Sequence, residues 1–235
     1  MSAVRPVIHC ITNGVTAGRV ADALAAAGAA PIMAAAEGEV AAIAARADAV
    51  VLNCGTPDAE RFRVLCVAGA AARASGIAVV LDPVGCGASE WRTLAIRELA
   101  TAVRPGVIRG GAAEIAVLAD LPTDARLRGV HSIGGDAVVL ARDAARSLGS
   151  VVVIGDTVSD GQRLSTLPSG PALLDRVVGA GDVLDALIAL ACVGEADRFC
   201  AAEAAQLRFT TAANAAAECG PGSFWPAFID ALARS

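Results

Sequence analysis

Residues 49–83 read AVVLNCGTPDAERFRVLCVAGAAARASGIAVVLDP. The stretch begins with the apolar run Ala49 to Leu52, which ends at Asn53, and finishes with a second run, Ile77 to Leu81, which ends at Asp82 and Pro83. Both runs are continuous rather than alternating, the pattern of strands covered on both faces. Between them, Pro57 to Ala74 reads as a helix, with Thr56 as the expected N-cap and Gly76 just past its end. Strand, helix and strand in that order make a βαβ unit with parallel strands.

The alternation continues in both directions. Upstream lie a strand over Val7 to Ile11 ending at Thr12 and Asn13, a helix from Val15 to Ala27 stopped by Gly28, a brief strand at Pro31 to Met33 and a short helix from Glu37 to Arg46. Downstream, helices are expected over Trp91 to Val103, Ala112 to Ala119 and Asp136 to Leu148, with strands around Val107-Ile108 and Val151 to Ile154. Val158 to Leu167 reads as a hairpin turning near Asp160 and Gly161, and from Asp182 the chain is nearly all helix. There is neither an internal repeat nor a low-complexity linker. The expectation is one α/β domain over residues 1–235, three layers deep, with a mostly parallel central sheet flanked by helices.

Composition narrows the function. The chain has 235 residues, 55% hydrophobic and 18% charged, against about 25% charged in an ordinary domain. It can build a sizeable core, which excludes a disordered chain. Aromatics are 3%, Tyr is absent and the net charge is −5, so neither stacking platforms nor a basic footprint for nucleic acid is expected. All 19 positive charges are Arg. The seven Cys are scattered without a CxxC pair, and His9 and His131 are the only histidines. That set argues against zinc and for buried thiols in a reducing cytoplasm. No signal-peptide core precedes Pro6, and Asp22, Glu37 and Glu39 interrupt the apolar stretch from Ala21 to Ala45, so no membrane span is expected. A Walker-type GxxxxGK[ST] and a GxSxG elbow are both missing.

In a parallel sheet, ligands gather at the carboxyl ends of the strands. Here those ends carry Thr12, Asn13, Asn53, Asp82, Arg109 and Asp156. Gly179-Ala180-Gly181-Asp182 then forms a glycine-rich turn that opens an apolar helix. Such a turn offers free N–H groups and a positive dipole end to an anion. Asp182 reads either as the cap of that helix or as a general base beside the anion hole. Asp82, in Asp82-Pro83-Val84-Gly85-Cys86-Gly87, reads as a turn residue or as a carboxylate that orients Mg²⁺ through water. Arg109 and Glu114, in Arg109-Gly110-Gly111-Ala112-Ala113-Glu114, read as a phosphate contact and a second metal-shell carboxylate; Glu114 could equally lie on a solvated helix face.

In this order the turns resemble the hydroxyethylthiazole kinase family of the ribokinase-like superfamily. The resemblance rests on His9-Cys10-Ile11-Thr12-Asn13, Gly28 to Ala34, Val51 to Thr56, Leu81 to Ala88, Ile108 to Ile115, Gly179 to Asp182 and Gly220-Pro221-Gly222-Ser223-Phe224. It implies ATP-dependent, Mg²⁺-dependent phosphorylation of the primary alcohol of 4-methyl-5-(2-hydroxyethyl)thiazole in thiamine salvage, by a homotrimer with shared active sites. It also implies that Asn13, Met33 and Gly179 line the thiazole pocket, that Asp82 and Glu114 organise Mg²⁺, and that Arg109 and Gly155 contact ATP. Gly179, Ala180 and Gly181 would form the anion hole, and Asp182 would take the hydroxyl proton.

The chain departs from the family pattern at several points. Asp182 stands where a Cys is usual, Gly111 replaces an Asn, Gly129-Val130-His131-Ser132 replaces Gly-Val-Asp-Ser, and Gly155-Asp156 replaces Thr-Gly. Thr16-Ala17-Gly18-Arg19 stands where the family's first helix carries an Asn. Three alternatives therefore stand beside the thiazole kinase: a kinase for another small alcohol, a nucleotide-dependent hydro-lyase of the superfamily, and a degenerate nucleotide- or thiazole-binding module.

Overall fold

The apolar runs pair into one sheet in the computed structural model, which describes residues 4–122 and 137–235. Gly129-Val130-His131-Ser132 and the expected helix start at Asp136 lie outside the described residues. The strands are β1 Val7–Ile11, β2 Ala30–Ile32, β3 Ala49–Asn53, β4 Ala78–Asp82, β5 Val107–Arg109, β6 Val151–Ile154, β7 Thr157–Ser159 and β8 Leu164–Thr166, in the order β2-β1-β3-β4-β5-β6-β7-β8. The pairs from β2 through β6 are parallel, and β6–β7 and β7–β8 are antiparallel.

Successive side chains along each strand point to opposite faces, and both faces are buried. Val51 and Val80 lie under the helices α1 Ala17–Ala26, α7 Ala180–Gly194, α8 Arg198–Ala215 and α9 Phe224–Leu232. Val50, Leu52, Val79 and Leu81 lie under α2 Glu37–Ala44, α3 Ala59–Ala74, α4 Glu90–Val103, α5 Ala112–Leu118 and α6 Ala137–Leu148. This is the expected three-layer architecture. Four aromatics cluster at α9, where Phe224, Trp225 and Phe228 pack on one another and Phe209 packs on Phe228, and Phe62 meets Trp91 edge-on in the other layer.

Two details differ from the sequence reading. The cap of α3 is Asp58, whose carboxylate accepts from the Arg61 N–H at 2.7 Å, while Thr56 sits before it in left-handed backbone (φ 43°). The loop thus holds two more residues than expected before the helix begins. Beyond β6, Gly155 (φ 59°) and Asp156 reverse the chain at once, so β6 and β7 are themselves a hairpin. A Gly-Asp pair suits such a two-residue turn. The hairpin at Asp160-Gly161 follows, and β8 closes the sheet.

Strand order changes direction at β1, with β2 on one side and β3 on the other. The crevice above the carboxyl ends of such strands is the expected ligand site. The cap assignment is testable: Asp58→Ala should lower stability by about 0.5–2 kcal/mol, and Thr56→Ala should remove no cap, as read from urea unfolding midpoints.

Candidate active site

Neighbouring strand ends deliver the polar residues. Asn53 and Asp82 are paired in register at the ends of β3 and β4, Arg109 ends β5, and Asn13 lies just past β1. The Asn13 Oδ1 accepts from the N–H groups of Val15 and Thr16 and from the Thr16 hydroxyl, which fixes the turn into α1. Its Nδ2 donates to Asn53 Oδ1 at 3.2 Å and to Asp182 Oδ2 at 3.3 Å. The Asn53 Nδ2 donates to Asp82 Oδ2 at 2.7 Å and to Asp182 Oδ1 at 2.9 Å. Each amide uses both of its hydrogens, and each oxygen of Asp182 receives one. Asp182 is therefore aimed by two asparagines.

Asp182 is not the cap of α7. That position is Gly179 (φ 94°), and no side chain caps the helix. Asp182 lies in the first turn, and its carboxylate turns back to the strand ends. Gly179 needs its positive φ, and a Cβ there would also come within 2.8 Å of Thr16 Cγ2. Gly181 is required by close approach, because a Cβ would lie 2.5 Å from Arg109 Nη1. The anion turn is thus seated directly on the Arg109 guanidinium.

Sequence reasoning missed Asp185. Fully buried one turn beyond Asp182, it accepts from Arg109 Nε at 2.7 Å and Nη2 at 2.6 Å. Arg109 Nη2 also donates to Asp82 Oδ2 at 2.9 Å. Asp82, Asp182 and Asp185 present oxygens within 4.8 Å of one another. The three carboxyl groups share one guanidinium. Burial pushes the Asp82 carboxyl well above its ordinary value; Arg109 opposes this and the neighbouring carboxylates add to it. Burial also raises Asp185, again against Arg109. For Arg109, burial alone would lower the pKa, but Asp185 and Asp82 outweigh it and the net shift is upward. One oxygen of this group, Asp82 Oδ1, is buried without a partner.

Glu114 is nearly buried, so it is not on a solvated helix face. Its Oε1 accepts from the Gly85 N–H at 2.7 Å and its Oε2 from the Gly111 N–H at 2.8 Å. It ties the turn after β4 to the start of α5. His9 is buried with Nε2 2.8 Å from the Ala34 carbonyl, and burial lowers its pKa.

A cleft of about 610 Å³ brings Asp82, Arg109, Glu114, Gly155 and the whole Gly179–Asp182 turn together. Gly111 and Asp156 also line it, the latter accepting from the Ser169 hydroxyl at 2.5 Å. Asn13 reaches the cleft only through Asp182. Met33 is not on its wall; it follows edge strand β2 and packs against the core under α1 and α7. Phe224, in the Gly-Pro-Gly segment, is fully buried core.

Residues 1–234 match the family model described as "Hydroxyethylthiazole kinase family". A protein of Methanoculleus marisnigri named hydroxyethylthiazole kinase is 43% identical, over 97% of this chain and 84% of its own length. A solved structure of the hydroxyethylthiazole kinase protein from Pyrococcus horikoshii OT3 superposes with a TM-score of 0.87 at 36% identity, over 98% of this chain and 89% of that one. A ribokinase-like superfamily protein of Enterococcus faecalis shares the fold, at a TM-score of 0.70 and 14% identity.

Two outcomes follow from the buried charges. Asp185→Ala would leave Arg109 paired with Asp82 alone and its Nε without a partner, and should cost about 1–3 kcal/mol in denaturant unfolding. Folding raises the Asp82 and Asp185 pKa values above the ordinary 3.8. Their contribution to stability is then full below that value and lost as pH rises through the folded-state values. Asp82→Asn should therefore gain stability relative to wild type as pH rises from about 4 to about 7, measured as the difference between their urea unfolding free energies.

Proposed function

The chain belongs to the hydroxyethylthiazole kinase family, and on that premise we propose that the cleft beside Asp182 transfers the γ-phosphoryl group of ATP to the thiazole alcohol. The reaction, phosphorylation of a hydroxyethylthiazole alcohol in thiamine salvage, is the family's own. One observation carries the assignment of residues: Asp182 is aimed by Asn13 and Asn53 at the mouth of α7, beside an N-terminal turn seated on Arg109. A carboxylate held in this way is preorganised to receive a proton.

In the proposed step the substrate hydroxyl lies against Asp182. Its oxygen bonds to the γ-phosphorus as the bond to the β-phosphate oxygen breaks, and ADP departs. The hydroxyl proton passes to Asp182 as the new bond forms, when the oxygen is most acidic. N–H groups of the Gly179–Gly181 turn meet the charge on the transferring group. Arg109 lies under that turn and holds it in position while adding its own positive charge.

The oxygen-only donor set suits Mg²⁺, as does the unpartnered Asp82 Oδ1. Asp82 would hold the ion, and Glu114, already engaged by two backbone N–H groups, would act through water. Bound there, the ion would supply charge neutralisation for the phosphates. Asn13 and Gly179 remain the proposed thiazole contacts, with Met33, off this cleft within one chain, contributing across the shared site of the homotrimer, and Gly155 a proposed nucleotide contact. Val15 and Val178 are 67% and 62% exposed, next to Asn13 and to the Gly179 turn. Apolar surface at the rim of the site supports the shared-site homotrimer, which light scattering at micromolar concentration would test by mass. The common sheet joining both core layers supports one catalytic domain over 1–235. Seven free thiols support a cytoplasmic setting. No described helix is long and apolar enough to cross a membrane.

Asp182→Asn should lower kcat by about 10²–10⁴-fold while ATP affinity stays close to wild type; its amide nitrogen would face one of the two asparagine donors, so a modest fall in melting temperature accompanies the loss. Normal turnover in that variant would remove Asp182 from the chemistry.

A further inference from the structure

We propose that Gln206 sets the nucleotide preference of this cleft by accepting a hydrogen bond from the exocyclic amino group of an adenine base. The proposal deepens the kinase reading above and rests on it. Besides the Gly179–Asp182 turn, the cleft wall has an apolar part made by Ile154, Leu174, Leu184 and Phe209. If the phosphates meet the turn, this part is left for the base. A flat heteroaromatic ring suits such walls.

Gln206 is the exception in that apolar wall. It lies on α8, lines the cleft and is 5% exposed. Its Nε2 donates to the Thr210 hydroxyl at 3.4 Å, while its Oε1 is buried with no partner. A buried acceptor without a donor is unfavourable, so the site is short of one N–H group. Asp156 and Ser169, which also line the cleft, bond to each other and remain open to water, unlike the buried Gln206 oxygen. Adenine carries a donor amino group on the edge where guanine carries an acceptor carbonyl. The first supplies the donor that Gln206 Oε1 lacks, and the second leaves that oxygen without a partner.

The test is calorimetric titration of the intact protein with non-hydrolysable triphosphates of adenosine, of guanosine and of purine riboside, which lacks the amino group. Wild type should bind the adenosine compound about 3- to 10-fold more tightly than the purine riboside compound, and the guanosine compound least tightly. Gln206→Leu, similar in volume and without the acceptor, should bring the first ratio to about one by weakening adenosine binding alone. Gln206→Met repeats the measurement should the Leu variant melt early. An unchanged ratio in the variants overturns the assignment, as does wild type binding the guanosine compound equally well. A parallel assay of phosphoryl transfer from ATP to the thiazole alcohol by wild type separates the two readings. Turnover with an unchanged ratio removes Gln206 alone, while absence of both turnover and nucleotide binding removes the kinase reading and this proposal together.

Discussion

A single guanidinium has to satisfy two carboxylates that have almost no access to water. Arg109 is 15% exposed at its side chain, Asp82 2% and Asp185 not at all. In that setting geometry matters more than charge count, because an ion pair taken out of water is tolerated only when its hydrogen bonds are complete. The fork of Arg109 meets Asp185 through two nitrogens and Asp82 through one of them. This one cation therefore locks the ends of β4 and β5 to the first turns of α7. The anion turn, the asparagine pair and Asp182 all take their positions from that lock.

The asparagines extend it across the sheet. Asn53 bridges Asp82 and Asp182, and Asn13 bridges Asn53 and Asp182 while holding the start of α1. From Asn13 to Asp185 the chain of bonds joins the ends of four strands, β1, β3, β4 and β5, and two helices. The groups are neutral amides between charged ones, so they can pass hydrogen bonds along without adding charge to an already negative pocket. A substitution in this chain is felt by its neighbours, and energies measured singly will not add.

Much of the fold could be read from residue order. The runs at Val7, Ala49, Ile77 and Val151 are buried strands because their Val, Ile and Leu residues leave no solvated face, and the helices between them follow. The carboxyl-end rule correctly brought Asp82, Arg109 and the Gly179 turn together. Asp185 escaped because its partner Arg109 is 76 residues away. The signal was nonetheless present: an acid inside the apolar run Val183 to Val193, three residues after Asp182, demands a buried donor or cation from whatever packs against that side of the helix. Asn53 was recognised as a strand end but not as a bridge, since an amide advertises no particular partner. Thr56 looked like a cap because hydroxyl residues often are, yet Asp58 two residues on competes for the same role. Met33 follows an edge strand and packs inward, a direction that residue order alone does not specify.

The two margins of the sheet, β2 and β8, are each three residues long, and Pro31 sits in the middle of β2. A short margin offers few unpaired backbone groups, and proline removes one donor from it. Extension of the sheet by edge-to-edge pairing with another chain is therefore disfavoured at both ends. For a sequence this rich in valine and alanine, such blunting protects against fibrous aggregation. It leaves side-chain surfaces, rather than backbone ladders, as the means by which copies of this protein can recognise each other.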